Sequence, residues 1–129
     1  MSIRIVRLGA RRHADEGLRI GTVRRPPRGV PKGDYAKKDW FDVWLPELAP
    51  EAETVKRVLA SNTDAAWQTF SRKYRVEMSR AEPSRLLDVF AALSRSANFS
   101  MGCYCDDEKR CHRSILKTLL VEHGAKVEN

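Results

Sequence analysis

Long hydrophobic runs are missing from this chain of 129 residues: stretches such as Val89-Phe90-Ala91-Ala92-Leu93 fall far short of the ~20 residues of a membrane-spanning helix. Residues 1–12 interleave charge with apolar side chains, so the continuous apolar stretch of a secretory leader is missing too. Repeats and compositional bias are also absent, which excludes a disordered tail or a collagen. With 42% hydrophobic and 32% charged residues, the composition is that of a soluble globular protein. The length predicts one compact domain over residues 1–129, and the missing leader and membrane span place it in the cytoplasm.

Charge is unevenly spread. Residues 1–40 hold 11 Lys and Arg against 4 Asp and Glu, whereas residues 41–129 hold 13 of each. The whole formal excess of +7 is therefore N-terminal. Within it, Arg24-Arg25-Pro26-Pro27-Arg28-Gly29-Val30-Pro31-Lys32-Gly33 joins four cations to three prolines in ten residues. Guanidinium groups offer a permanently charged fork of donors to phosphate, and prolines reduce the entropy lost when an anion docks. The alternative is a merely solubilising surface. Trp40, Phe41 and Trp44 come after this loop, so it lacks the interleaved aromatics on which single-strand nucleic-acid binders stack bases.

Hydrophobic periodicity predicts two strands, Ile3–Leu8 and Leu18–Val23, separated by a charged turn from Arg11 to Glu16. Trp40–Leu48 reads as an irregular lid or short helix. Helices are predicted over Glu51–Ala60 and Asp64–Ser79, the second with Trp67, Phe70, Tyr74 and Met78 in one apolar stripe. Pro83 or Ser84 opens a third helix with Leu86, Leu87, Phe90 and Leu93 inward. Asn98–Cys105 reads as a buried strand. A last helix runs from about Arg110 to His123, capped by Gly124, and Ala125–Glu128 reads as a short edge strand. This order predicts an α/β fold: a small single domain with a short, partly parallel sheet flanked by helices.

All three cysteines and one of three histidines crowd into Cys103-Tyr-Cys105-Asp-Asp-Glu-Lys-Arg-Cys111-His112-Arg113, where the buried strand meets the last helix. Ligands of open α/β sheets collect at the carboxyl ends of strands, where a following helix N-terminus favours anions. Three readings compete. In the first, Arg113 and helix amides hold a phosphate or carboxylate while Cys111 or His112 reacts, its thiol activated by the helix end and neighbouring cations. In the second, Cys103, Cys105, Cys111 and His112 bind a metal, since their donor types suit tetrahedral zinc. Cys103 and Cys105 would share one strand face, unlike the two-residue spacer of common zinc knuckles. In the third, the cysteines are small apolar fillers. A tyrosine-phosphatase loop is excluded, because the residues six after Cys103 and Cys105 are Lys109 and Cys111 rather than arginine. A cytosolic setting argues against a stable disulfide. His13 and His123 read as surface residues.

The series Gly17-Leu-Arg-Ile-Gly-Thr-Val-Arg24-Arg-Pro-Pro27-Arg28-Gly29-Val-Pro-Lys32, Trp44-Leu-Pro-Glu-Leu-Ala-Pro50, Trp67-Gln-Thr-Phe70-Ser-Arg-Lys-Tyr74-Arg-Val-Glu77 and Cys111-His112-Arg113 resembles the YeaO-like bacterial proteins of unknown function. The likeness runs in order along nearly the whole chain. Val23 and Pro26 stand where that family's proline loop has Asp and Trp, and Cys105 stands where many members have Glu. The resemblance implies that the proline loop and the Cys-His-Arg turn are the two places to look.

Together these observations lead us to expect one site. Arg24, Arg28 and Lys32 would face Arg113 and the last helix's N-terminus around a phosphate-bearing, nucleotide-like small molecule, with Cys111 or His112 reacting. No cofactor is implied. Glu77 is a candidate orienting partner of Arg28, against the simpler reading of a surface ion pair. Two rivals from other classes are a nonenzymatic module that docks nucleic acid or protein on its basic N-terminal third, and a Cys/His metal-binding protein.

Overall fold

The computed structural model describes residues 1–60, 63–105 and 110–128. In chain order the elements are β1 (Ile3–Arg7), β2 (Leu18–Gly21), β3 (Val43–Trp44), α1 (Ala52–Ala60), α2 (Asp64–Met78), α3 (Ala81–Leu93), β4 (Phe99–Cys103) and α4 (His112–Glu122), with 3-10 turns at Lys32–Asp34 and Pro46–Leu48. The sheet runs β1-β4-β2-β3. The α/β expectation holds, and the pairing is parallel at every neighbour rather than in part. No described helix is long and apolar enough to cross a membrane.

Four local expectations change. Trp40–Leu48 forms a short helix only in its last turn, the 3-10 segment Pro46–Leu48: Val43 pairs with Ile20, and the Leu45 amide donates to the Gly21 carbonyl, so the stretch covers the otherwise unpaired edge of β2. α3 starts at Ala81, with Pro83 in the first turn, where a missing N–H leaves no helical bond unmade. Leu93 is exposed, since it lies on the margin of the stripe that buries Leu87 and Ala91, and that margin faces solvent in the last turn. The Ala125–Glu128 strand reduces to one parallel bridge between Val127 and Ile3.

β4 is buried at all five positions, as an interior parallel strand covered on both faces must be. Phe99 and Met101 enter the larger core, where they meet Phe70, Tyr74 and Met78 of α2, Leu87 of α3, and Leu116 and Leu120 of α4. Each such fully buried side chain contributes about 1.5–3 kcal/mol over its exposed state. Ser100 points the other way. It donates to Glu16 at 2.6 Å, and Glu16 in turn receives two bonds from the guanidinium of Arg19, at 2.7 and 2.9 Å. Glu16 and Arg19 are both buried, so the expected charged turn ends in an internal ion pair rather than a solvated surface. Gly102 is required by close approach: a Cβ there would stand 2.2 Å from the Val6 carbonyl oxygen.

Candidate functional site

β4 ends at Cys103, and α4 begins at His112 with Cys111 as its N-cap. Both cysteines and the histidine therefore gather at the carboxyl edge of the sheet, the usual ligand side of a parallel α/β fold. Cys103 and Cys111 are buried in a small apolar cluster with Leu8, Val23 and Phe41. Their sulfurs meet as a disulfide, contrary to the sequence expectation, because the end of β4 and the start of α4 face the same cluster. Their Cα atoms are 7.8 Å apart. Cys105 is exposed: the strand stops at Cys103, so the expected shared face of Cys103 and Cys105 does not form. Lys109 lies outside the described residues.

His112 Nε2 is 2.7 Å from the carbonyl oxygen of Thr22. A carbonyl only accepts, so Nε2 carries the proton and Nδ1 keeps its lone pair. Nδ1 lies 3.9 Å from Cys111 Sγ. The ring packs edge-on against Tyr74. Burial lowers the His112 pKa to about 4; the Thr22 carbonyl opposes that shift and the charge of Arg113 adds to it. The imidazole is accordingly neutral near pH 7.

Above this cluster lies a cavity of about 630 Å³ lined by Val23, Arg24, Arg25 and Arg28 from the proline loop, Lys56 from α1, and Cys103, Tyr104, Cys105 and His112. Arg24 donates to the carbonyls of Ala49 and Pro50 at 3.0 and 3.1 Å, which anchors the loop to the approach of α1. The Tyr104 hydroxyl donates to the Arg25 carbonyl at 3.0 Å, and burial, then Tyr35, pushes its pKa up to about 12. Arg25 and Arg28 are exposed, and both also border a second cavity of about 570 Å³ beside Trp40.

The structure thus brings Arg24 and Arg28 to the same cavity as His112. Cys111 sits one layer beneath, touching Cys103. Lys32 and Arg113 do not line that cavity. Lys32 is exposed in its 3-10 turn. Arg113 is buried, donates to the Cys105 carbonyl at 3.0 Å, and has an Nε with no partner among the described residues. Glu77 serves neither role expected of it: it is buried and accepts from the Glu51 amide and the Thr54 hydroxyl, both at 2.7 Å, tying α2 to the start of α1. Sequence reasoning missed Thr22, Tyr104 and Lys56. Tyr104 was visible only as a residue between two cysteines, and nothing one-dimensional marked the other two.

Fold and site together define a small parallel α/β domain with a cysteine-histidine cluster at the carboxyl end of an interior strand. The chain belongs to the DUF488-N3a family, described as the active DUF488-N3 subclade, whose family model matches residues 3–124. DUF488 is the family of the YeaO-like proteins, in agreement with the resemblance. No curated protein and no solved structure matches the chain.

Proposed function

We propose that this protein binds a phosphate-bearing small molecule, nucleotide-like in size, in the cavity between the proline loop and the start of α4. The supporting observation is that Arg24, Arg28 and His112, distant in sequence, line one cavity of about 630 Å³, a volume within the range of small-molecule sites. Arg24 uses part of its fork on backbone carbonyls and is thereby held in place; Arg28, with no hydrogen-bond partner among the described residues, offers its fork to phosphate oxygens. Arg25 and Lys56 add two further cations to the lining. His112 lies at the floor, with Cys111 one layer beneath it, and these are the groups assigned to any reaction there. A cytoplasmic setting, where phosphorylated metabolites are abundant, belongs to the same proposal.

Calorimetric titration with inorganic phosphate, pyrophosphate and a nucleoside monophosphate tests it. We expect saturable binding that Arg28→Ala weakens about tenfold, equivalent to ~1.4 kcal/mol. Binding restricted to long oligonucleotides, with an affinity that collapses as salt rises, would instead support the nucleic-acid module.

A further inference from the structure

We propose that Cys103, Cys111 and His112 hold a single zinc-class divalent metal ion through two thiolates and the imidazole Nδ1, with a fourth coordination position opening onto the cavity beneath Arg24 and Arg28. This goes beyond the anion reading and does not require it.

The donor atoms are already gathered. One ligand atom from each of the three residues lies within 4.8 Å of the others, and all three residues are buried. Two thiolates and an imidazole are soft and borderline donors, which suit zinc and exclude the oxygen-seeking magnesium and calcium. Bond lengths of about 2.3 Å to sulfur and 2.0–2.1 Å to nitrogen at a tetrahedral angle place such donors roughly 3.6 Å apart. Cys111 Sγ and His112 Nδ1 stand at 3.9 Å, close to that spacing.

The histidine is oriented as a ligand. Metal-binding imidazoles usually donate their second N–H to a carbonyl or carboxylate, which fixes the tautomer and raises basicity at the other nitrogen. The Thr22 carbonyl at 2.7 Å does this for Nε2 and leaves Nδ1 directed at the sulfurs.

Two thiolates, a divalent cation and a neutral imidazole sum to zero charge, which a buried cluster tolerates far better than free thiolates.

The metal-binding form is the reduced one. Two molecules of a low-molecular-weight thiol each supply one electron and one proton to the Cys103–Cys111 disulfide; the products are two cysteine thiols and one small-molecule disulfide. The ion then displaces the two thiol protons to solvent. Because Cys103 and His112 both line the cavity, the remaining coordination position faces it and takes water or a ligand oxygen.

The test uses untagged full-length protein, purified under a phosphine reductant, with Zn²⁺ or Co²⁺ alone and no phosphate. We expect about one metal ion per chain, a thiolate-to-cobalt charge-transfer band, and stoichiometric zinc release on titration with an organomercurial. Cys103→Ser and His112→Gln should each weaken binding by more than the roughly 10–100-fold that losing an orienting partner costs. Cys105→Ser should leave the cobalt spectrum unchanged; a lost share of its charge-transfer intensity would overturn the open position. Fully reduced wild-type protein that takes up well under one ion per chain would overturn the site itself, whether or not the variants fold. Phosphate binding without metal uptake sinks this inference alone, and metal uptake without phosphate binding sinks only the anion reading.

Discussion

The imidazole of His112 and the main-chain carbonyl of Thr22 meet at 2.7 Å across 90 residues of sequence. The bond ties the segment leaving β2 to the first residue of α4, so the proline loop and the cysteine cluster are positioned by one another. His112→Ala leaves that carbonyl buried without its donor. We expect a loss of about 1–3 kcal/mol in the urea unfolding of metal-free, reduced protein, and a loss within 0.5 kcal/mol for the exposed Val121→Ala.

Glu16 predicts the acid limb of stability. Burial raises its pKa, but the hydrogen bonds from Arg19 and Ser100, with one from the His13 amide, outweigh this and hold it at about 2, below its ordinary 4.5. The folded state therefore binds this proton more weakly than the unfolded chain does. The associated stability, about 3 kcal/mol, is fully present above pH 4.5 and drains away as pH falls toward 2. Urea midpoints measured against pH in the wild type and in Glu16→Gln should show that slope in the first and a flatter one in the second. Equal slopes would refute the assignment.

Removing the Glu16 charge at pH 7 has a separate cost, because it leaves Arg19, fully buried, without its counter-charge. Glu16→Gln should lose about 3–5 kcal/mol there, the range for breaking a buried pair. A change below 1 kcal/mol would mean that Arg19 reaches water.

Gly102→Ala should be far more damaging than Gly33→Ala. The first Cβ meets the Val6 carbonyl at 2.2 Å and forces β1 away from β4, whereas the second meets nothing within 4 Å. The expected loss is about 3 kcal/mol for Gly102→Ala and under 0.5 kcal/mol for Gly33→Ala, read from thermal unfolding.

Glu77→Ala removes both acceptors at the entry of α1. We expect a loss of about 1–2 kcal/mol together with faster hydrogen exchange at the Glu51 and nearby α1 amides. Unchanged exchange there would show that the cap does not hold the helix.

Much of this protein could be read in one dimension where a pattern repeats. The stripe of Phe70, Tyr74 and Met78 announced both a helix and its buried face, and Ile115, Leu116, Leu119 and Leu120 did the same for α4. Single-residue relationships were opaque. Glu16 and Arg19 look like any surface pair, yet they are enclosed because Ser100 from a neighbouring strand supplies a polar partner inside the sheet. Glu77 looked outward-facing and proved to be a cap for another helix.

What the sequence settled by itself was the α/β class and most element positions, and it singled out the two segments that border the candidate site, because helix and strand periods and clustered residue types are local properties. Only the tertiary structure decided that Arg24, Arg28, Cys103 and His112 line one cavity while Lys32 and Arg113 stay outside it. That outcome depends on strand order and on which way each side chain leaves its strand end or helix turn. Such directions are set by packing between segments some 80–90 residues apart, as the separations of Thr22 from Gly102 and His112 record, and no local pattern encodes them.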